Sequence, residues 1–136
     1  FSKRRRICVL GNTGGGRDSW KRPVMGRIAE ENCDKVILTN EDPYDEDPYA
    51  IVDAMVQGMS QEGRKHKLEI VMDRRSAIRR ALSLAETGDA VLISGKGTDP
   101  FIMGPDGTKE PWNEAYVARE ELELIPRRPA GPRTKV

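Results

Sequence analysis

Apolar and polar positions fall into two alternating patterns along the chain. Short continuous apolar runs at residues 7–10, 36–39, 68–72 and 90–94 are rich in Ile, Val and Leu and bounded by turn residues, which predicts buried strands. The stretches between them carry apolar residues at helical spacing, with Ile51, Ala54, Met55 and Met59 in one and Ile78, Ala81, Leu82 and Ala85 in another. Helices are therefore expected over about 23–32, 48–59 and 73–86, with a last one over about 113–124 that Pro126 ends. Pro23 is tolerated in a first turn, Asp73 is a candidate N-cap and Gly88 a stop signal. After the fourth run, residues 101–103 and the segment following Thr108 flank Pro105, Asp106 and Gly107, the pattern of a short hairpin. Strands and helices alternating in this order predict an α/β fold: a Rossmann-like, mostly parallel sheet with helices on both faces.

Length and charge narrow this picture. A chain of 136 residues has material for one core, placed here at residues 1–125. Residues 126–136 hold three prolines and four basic side chains, and are expected to form a basic, proline-rich disordered tail. Net charge is +1, but residues 7–125 carry 15 basic and 22 acidic side chains, a net of −7. That argues against a nucleic-acid surface on the folded part. No apolar run approaches the length of a membrane span, and the basic start leads into glycines rather than into the apolar stretch of a secretory signal. The chain is read as cytoplasmic, with no membrane partner. Two cysteines, Cys8 and Cys33, with one distant histidine, His66, argue against a disulfide scaffold or a zinc site. They are expected to be buried reduced thiols.

Unusual chemistry collects in the loops after the first, second and fourth strands, the edge at which an open parallel sheet binds ligands. The first loop, residues 11–23, combines clustered glycines with Arg17, Lys21 and Arg22, a setting in which backbone N–H groups and cations converge on an anion. Its spacing is neither the dinucleotide fingerprint nor a Walker P-loop. The second loop holds five carboxylates, of which Asp45, Glu46 and Asp47 suit the start of the following helix. Glu41 and Asp42 lie nearer the strand end, placed to hold a cationic group. The third, Gly95, Lys96, Gly97, Thr98 and Asp99, again joins glycines, a cation and a carboxylate. Trp20 and Trp112 are of a kind that stacks on bases, but near helix ends they read better as partly buried anchors.

These loops, in this order, resemble the C-terminal domain of the Mur ligases, and within them the tripeptide-synthetase branch. The first block, Gly15–Gly26 (GGRDSWKRPVMG), is similar to the family's Gly-Gly-x-Arg-Asp-x-x-Lys-Arg-Pro-x-Met-Gly. The Asp-Asn-Pro-Arg block corresponds to Glu41, Asp42, Pro43 and Tyr44, followed by Glu46, Asp47 and Pro48. The Asp-Arg after strand three is Asp73 and Arg74, and Gly-Lys-Gly-His-Glu corresponds to Gly95 through Asp99. The resemblance covers about residues 6–124. It implies ATP-dependent amide-bond formation in peptidoglycan synthesis: the terminal carboxylate of UDP-N-acetylmuramoyl-L-alanyl-D-glutamate is phosphorylated and then attacked by the amine of an incoming diamino acid. The family divides this work among three domains. ATP and magnesium are held mainly by a central domain that this chain does not supply, so the partners implied are the N-terminal and central domains, the UDP-sugar peptide, the amino acid and ATP. Alone, the chain is expected to be inactive, with no catalytic residue and no metal site of its own.

Carried over by position, Arg17 holds the carboxylate of the incoming amino acid, and Glu41, Asp42, Tyr44, Gly95 and Asp99 line its pocket. Asp18, Lys21 and Arg22 face the nucleotide. Family members that use meso-diaminopimelate have an arginine where Tyr44 stands, and a phenol cannot reproduce its bidentate pairing with a distal carboxylate. With Glu41 and Asp42 counted as negative charge at the pocket mouth, the expected substrate is lysine-like rather than meso-diaminopimelate. Two alternatives stand beside this reading: a domain of a related amide ligase, of the folylpolyglutamate or cyanophycin synthetase type, and a free-standing amino-acid- or nucleotide-binding module.

Overall fold

A computed structural model describes residues 4–126; apart from Pro126, the expected tail lies outside the described residues. Four strands, β1 (Arg6–Leu10), β2 (Lys35–Leu38), β3 (Leu68–Ile70) and β4 (Ala90–Ile93), form one sheet in the order β3-β2-β1-β4. Every pairing is parallel, with Ile7 opposite Lys35 and Val91 and Val36 opposite Leu68. Parallel neighbours need crossovers, and helices α1 (Lys21–Asn32), α2 (Pro48–Val56), α3 (Gln61–His66) and α4 (Arg74–Leu84) supply them. The chain then makes an antiparallel hairpin of β5 (Phe101–Met103) and β6 (Lys109–Pro111), and ends in α5 (Glu114–Leu124).

Alternation along each strand divides the apolar side chains between two layers. Leu10, Val36 and Leu38 pack with Val52 and Met55 of α2 and Ala29 of α1. On the other face Ile7, Val9 and Ile37 pack with Ala77, Ile78 and Ala81 of α4 and Val117 of α5. The helices begin where the sequence offers caps: Asp47 accepts from the Tyr49 N–H, Asp73 from the Ser76 N–H and Asn113 from the Tyr116 N–H. α1 and α2 cross so closely at Gly26 that a Cβ there would overlap the Met55 carbonyl oxygen. Among the described residues no helix is long and apolar enough to cross a membrane.

Two expectations are corrected. The helix expected over 48–59 stops at Val56, and α3 follows, started by Ser60 Oγ accepting from the Gly63 N–H at 3.0 Å. Its sequence, QEGRKH, has no apolar stripe, so periodicity does not register it. Cys8 and Cys33 are not free thiols; they form a disulfide, with Cα atoms 6.2 Å apart. α1 runs back along the sheet from the end of β1, which returns its C-terminal Cys33 to the strand where it began.

Candidate functional site

The loops after β1, β2 and β4 meet at one edge of the sheet, and buried charges knit them together. Arg74, at the start of α4, is 2% exposed and donates from Nε and Nη2 to both carboxylate oxygens of Glu114 at 2.9 and 2.7 Å. Its remaining N–H groups reach the Asn40 carbonyl beyond β2 at 3.0 Å and the Ser94 carbonyl beyond β4 at 2.8 Å. One guanidinium thus fixes two strand ends and α5, in the planar, multi-donor geometry for which arginine is suited. Trp112 donates to Glu114 through Nε1 at 3.1 Å, the role of a partly buried anchor, whereas Trp20, expected to be another, is 67% exposed.

Asp42 is the second junction. Its carboxylate accepts from Lys96 Nζ at 2.7 Å and from the Met103 N–H at 2.8 Å, while its backbone carbonyl accepts from the Gly14 N–H at 2.6 Å. Lys96 is fully buried and also lies 3.6 Å from Asp99. Asp42 therefore ties all three loops and the hairpin to one point. A buried ion pair of this kind holds because each charge meets an opposite charge and extra hydrogen bonds. Its neighbour Glu41 is different. Half-buried, it accepts no hydrogen bond from any described residue, and burial raises its pKa above the ordinary carboxylate range, with Asp42 and Asp99 adding to the rise and Arg74 and Lys96 opposing it.

The glycine-rich loop is more open. Gly15 and Gly16 have positive φ, and the Gly16 N–H donates to Glu46 at 2.6 Å. Arg17 is exposed and makes no ion pair or hydrogen bond with a described residue; Asp18 and Lys21 are exposed and pair with each other at 3.2 Å. Arg22 does not face outward with them. It is 7% exposed and bound to Glu46 at 2.8 Å and to the Thr13 carbonyl at 3.2 Å, which leaves its buried Nε without a partner among the described residues. Tyr44 adopts a positive φ, lies against Gly15 and lines a cleft of about 480 Å³ under the hairpin that Lys109 also borders. Among the described residues no group of three or more His, Cys, Asp or Glu is placed to hold a metal ion.

The expected residues Arg17, Glu41, Asp42, Tyr44, Gly95 and Asp99 all lie on the loops after β1, β2 and β4 that meet at this edge. Sequence reasoning missed Lys96 and Glu114 as buried partners. Lys96 carried a faint signal, a lone cation between glycines in an otherwise open loop; Glu114, one acid in a helix's first turn, carried none.

An open parallel sheet whose strand-end loops converge on glycines, cations and carboxylates defines an α/β domain of the doubly wound class, in which the strand-end edge is where ligands are bound. The family described as "Mur ligase, glutamate ligase domain" matches residues 1–97. The chain belongs to the Mur ligase family, as its C-terminal domain. It is 43% identical over 122 residues to UDP-N-acetylmuramoyl-L-alanyl-D-glutamate--2,6-diaminopimelate ligase of Syntrophomonas wolfei subsp. wolfei, a match covering 90% of this chain and 24% of that protein. The ligase of the same name from Aquifex aeolicus is 42% identical over 122 residues, with the same coverage. A solved structure bearing that ligase name superposes with a TM-score of 0.80 at 31% identity, covering 89% of this chain and 24% of the other. The chain spans about a quarter of the length of the relatives it matches.

These names overturn the expectation of a lysine-like substrate, and the geometry explains the error. Glu41 and Asp42 had been counted as two uncompensated negative charges at the pocket mouth. Asp42 is paired with Lys96, and burial raises the pKa of Glu41. The repulsion assigned to a distal carboxylate was therefore overcounted.

Proposed function

We propose that this chain is the wall of a diaminopimelate-adding ligase that receives the incoming amino acid and closes over a nucleotide held elsewhere. The observation that carries the reading is the identity above 40% over nine-tenths of the chain to ligases of that name. In this reading Arg17, exposed and without an ion pair among the described residues, takes the α-carboxylate of the amino acid, and Gly95 and Asp99 line the same pocket. Asp18 and Lys21 face the nucleotide, with Arg22 as a buried support for the loop that carries them. ATP and magnesium are bound mainly by the preceding domains. The acceptor is UDP-N-acetylmuramoyl-L-alanyl-D-glutamate, activated by phosphoryl transfer, and the reaction belongs to the cytoplasm, where ATP is supplied. Since Arg74 and Lys96 are buried and committed, the distal carboxylate of diaminopimelate needs another cation, and Lys109, which shares a cleft with Tyr44, is the residue assigned to it.

The test uses the full-length polypeptide with ATP-Mg, the UDP-sugar dipeptide and either meso-diaminopimelate or L-lysine. Product should form with meso-diaminopimelate in preference to lysine. Lys109→Ala should raise KM for meso-diaminopimelate about tenfold or more, the worth of one charge-assisted hydrogen bond, with little effect on lysine. Absence of turnover with any amino acid sinks the ligase reading; an unchanged KM in the variant removes Lys109 from the site.

A further inference from the structure

Asp45, Glu46 and Asp47 are three consecutive carboxylates, and the helix that follows draws its cap from only one of them. Asp47 caps α2, while Asp45 accepts from the Asp106 N–H at 2.7 Å and so ties its loop to the hairpin turn. Glu46 points to neither. It reaches the loop after β1, where its Oε1 accepts from the Gly16 N–H at 2.6 Å and its Oε2 from Arg22 Nη2 at 2.8 Å.

A glycine-rich turn leading into a helix is a setting for an external anion, and here the chain supplies the anion itself. Gly15 and Gly16 have φ of +79° and +75°, a backbone that residues with side chains rarely adopt. A Cβ added to Gly16 would meet nothing within 4 Å, so this glycine serves the conformation and not a close approach. Arg22 is 7% exposed, and among the described residues Glu46 is the one carboxylate that pairs with it. One carboxylate therefore holds both a buried cation and a backbone donor, through bonds that each carry a charge. Arg17 follows Gly16 directly and makes no such bond of its own. The Gly14 N–H is held by the Asp42 carbonyl at 2.6 Å, and the Lys21 N–H by the Asp18 carbonyl within the same loop at 2.8 Å. Between those points the Glu46 carboxylate is what fixes the backbone at Arg17.

We propose that Glu46 is a positioning residue: as an internal anion it fills the glycine turn and sets where Arg17 stands relative to Tyr44, two residues before Glu46 on its own loop. The proposal rests on the ligase reading, in which Arg17 and the Tyr44 cleft meet the two ends of the incoming amino acid. Glu46 borders that cleft, but both its oxygens are engaged, and it acts through Gly16 and Arg22.

The test is made in the full-length polypeptide. Glu46→Ala should raise KM for meso-diaminopimelate at least about tenfold, with kcat and KM for the UDP-sugar dipeptide each within about threefold of wild type. The atoms removed are those of an acetate ion, so added acetate should bring the raised KM back toward wild type, and chloride at the same ionic strength should not. In wild type, acetate competes with the amino acid's carboxylate and raises KM, so a fall marks a vacated anion site. Glu46→Gln keeps an acceptor for the Gly16 N–H but gives up the charge facing Arg22, and should raise the same KM about threefold. An unchanged KM with lower kcat in Glu46→Ala would reduce Glu46 to a stabiliser of the fold and overturn the proposal. A parallel rise in KM for both substrates, or a raised KM that acetate does not lower, would also overturn it. If the Ala variant does not fold, an unchanged KM in Glu46→Gln decides against the proposal. A wild-type protein that joins no amino acid to the dipeptide would instead overturn the ligase reading.

Discussion

The loop after β1 and the loops after β2 and β4 share one edge of the sheet but are built on opposite principles. In the first, Arg17, Asp18, Trp20 and Lys21 are exposed, and Trp20 keeps 67% of its surface in solvent beside the Lys21 ammonium. Behind the others a set of charges lies inside: Asp42 and Lys96 of those loops, with Arg74 of α4 and Glu114 of α5, are all 8% exposed or less, and each has a partner of opposite sign. The lesson concerns when the electrostatic cost is met. Charges desolvated during folding hold the strand ends in a fixed frame before any ligand arrives, which is the preorganisation that binding and catalysis exploit. The open loop leaves Arg17 and Lys21 solvated until a ligand or another domain meets them, while Arg22 is turned inward onto Glu46.

Breaking the buried frame should have the largest effect. Arg74→Ala strands Glu114 without its cation and frees two strand-end carbonyls, so stability to denaturant should fall by about 3–5 kcal/mol. A loss of less than about 1 kcal/mol would mean that water replaces the guanidinium and that the frame is not rigid. Next is the Cys8–Cys33 bond, which anchors β1 to the helix that follows the open loop. Reductant should lower stability by about 3 kcal/mol, as expected for a crosslink closing a loop of this length. The effect should vanish in a Cys8→Ser/Cys33→Ser variant already weakened by that amount.

A smaller effect tests whether pairing away from the site obeys the same rule. Glu121 of α5 accepts hydrogen bonds from Arg79 and Arg75 of α4, which pull its pKa down to about 2. A folded pKa below the unfolded value near 4.5 means that the stabilisation is complete above pH 4.5 and is lost as the pH falls toward about 2. Wild type should therefore lose stability more steeply than Glu121→Gln across that window in acid titrations followed by circular dichroism. The smallest change in stability is expected for Arg17→Ala, within about 0.5 kcal/mol, because the side chain touches no described partner. In the full-length polypeptide the same variant should raise KM for the amino acid at least tenfold. Loss of stability without a change in KM would place Arg17 in the frame rather than in the open loop.

How legible each region was follows from the range of the forces that shape it. Strand and helix positions were readable because burial imposes its period on neighbouring residues: Ile7 and Val9 on one face, Leu10 on the other, and Ala77, Ile78 and Ala81 on one side of α4. The cap at Asp73 and the hairpin turn at Pro105–Gly107 are equally local. α3 escaped because six polar residues capped by Ser60 leave no periodic trace.

Sequence by itself determined the layered α/β fold and, through loop order and motif, the family. Only the tertiary structure decided which charges are available to a ligand. Asp42 and Lys96 are 54 residues apart, Arg74 and Glu114 40, and Cys8 and Cys33 25, so no local pattern records that they meet. Counted along the chain, Glu41 and Asp42 were two equal negative charges. Folding places a buried ammonium on one and leaves the other half-buried with no hydrogen-bond donor among the described residues, because the strength of a charge depends on what surrounds it and surroundings are set by distant residues.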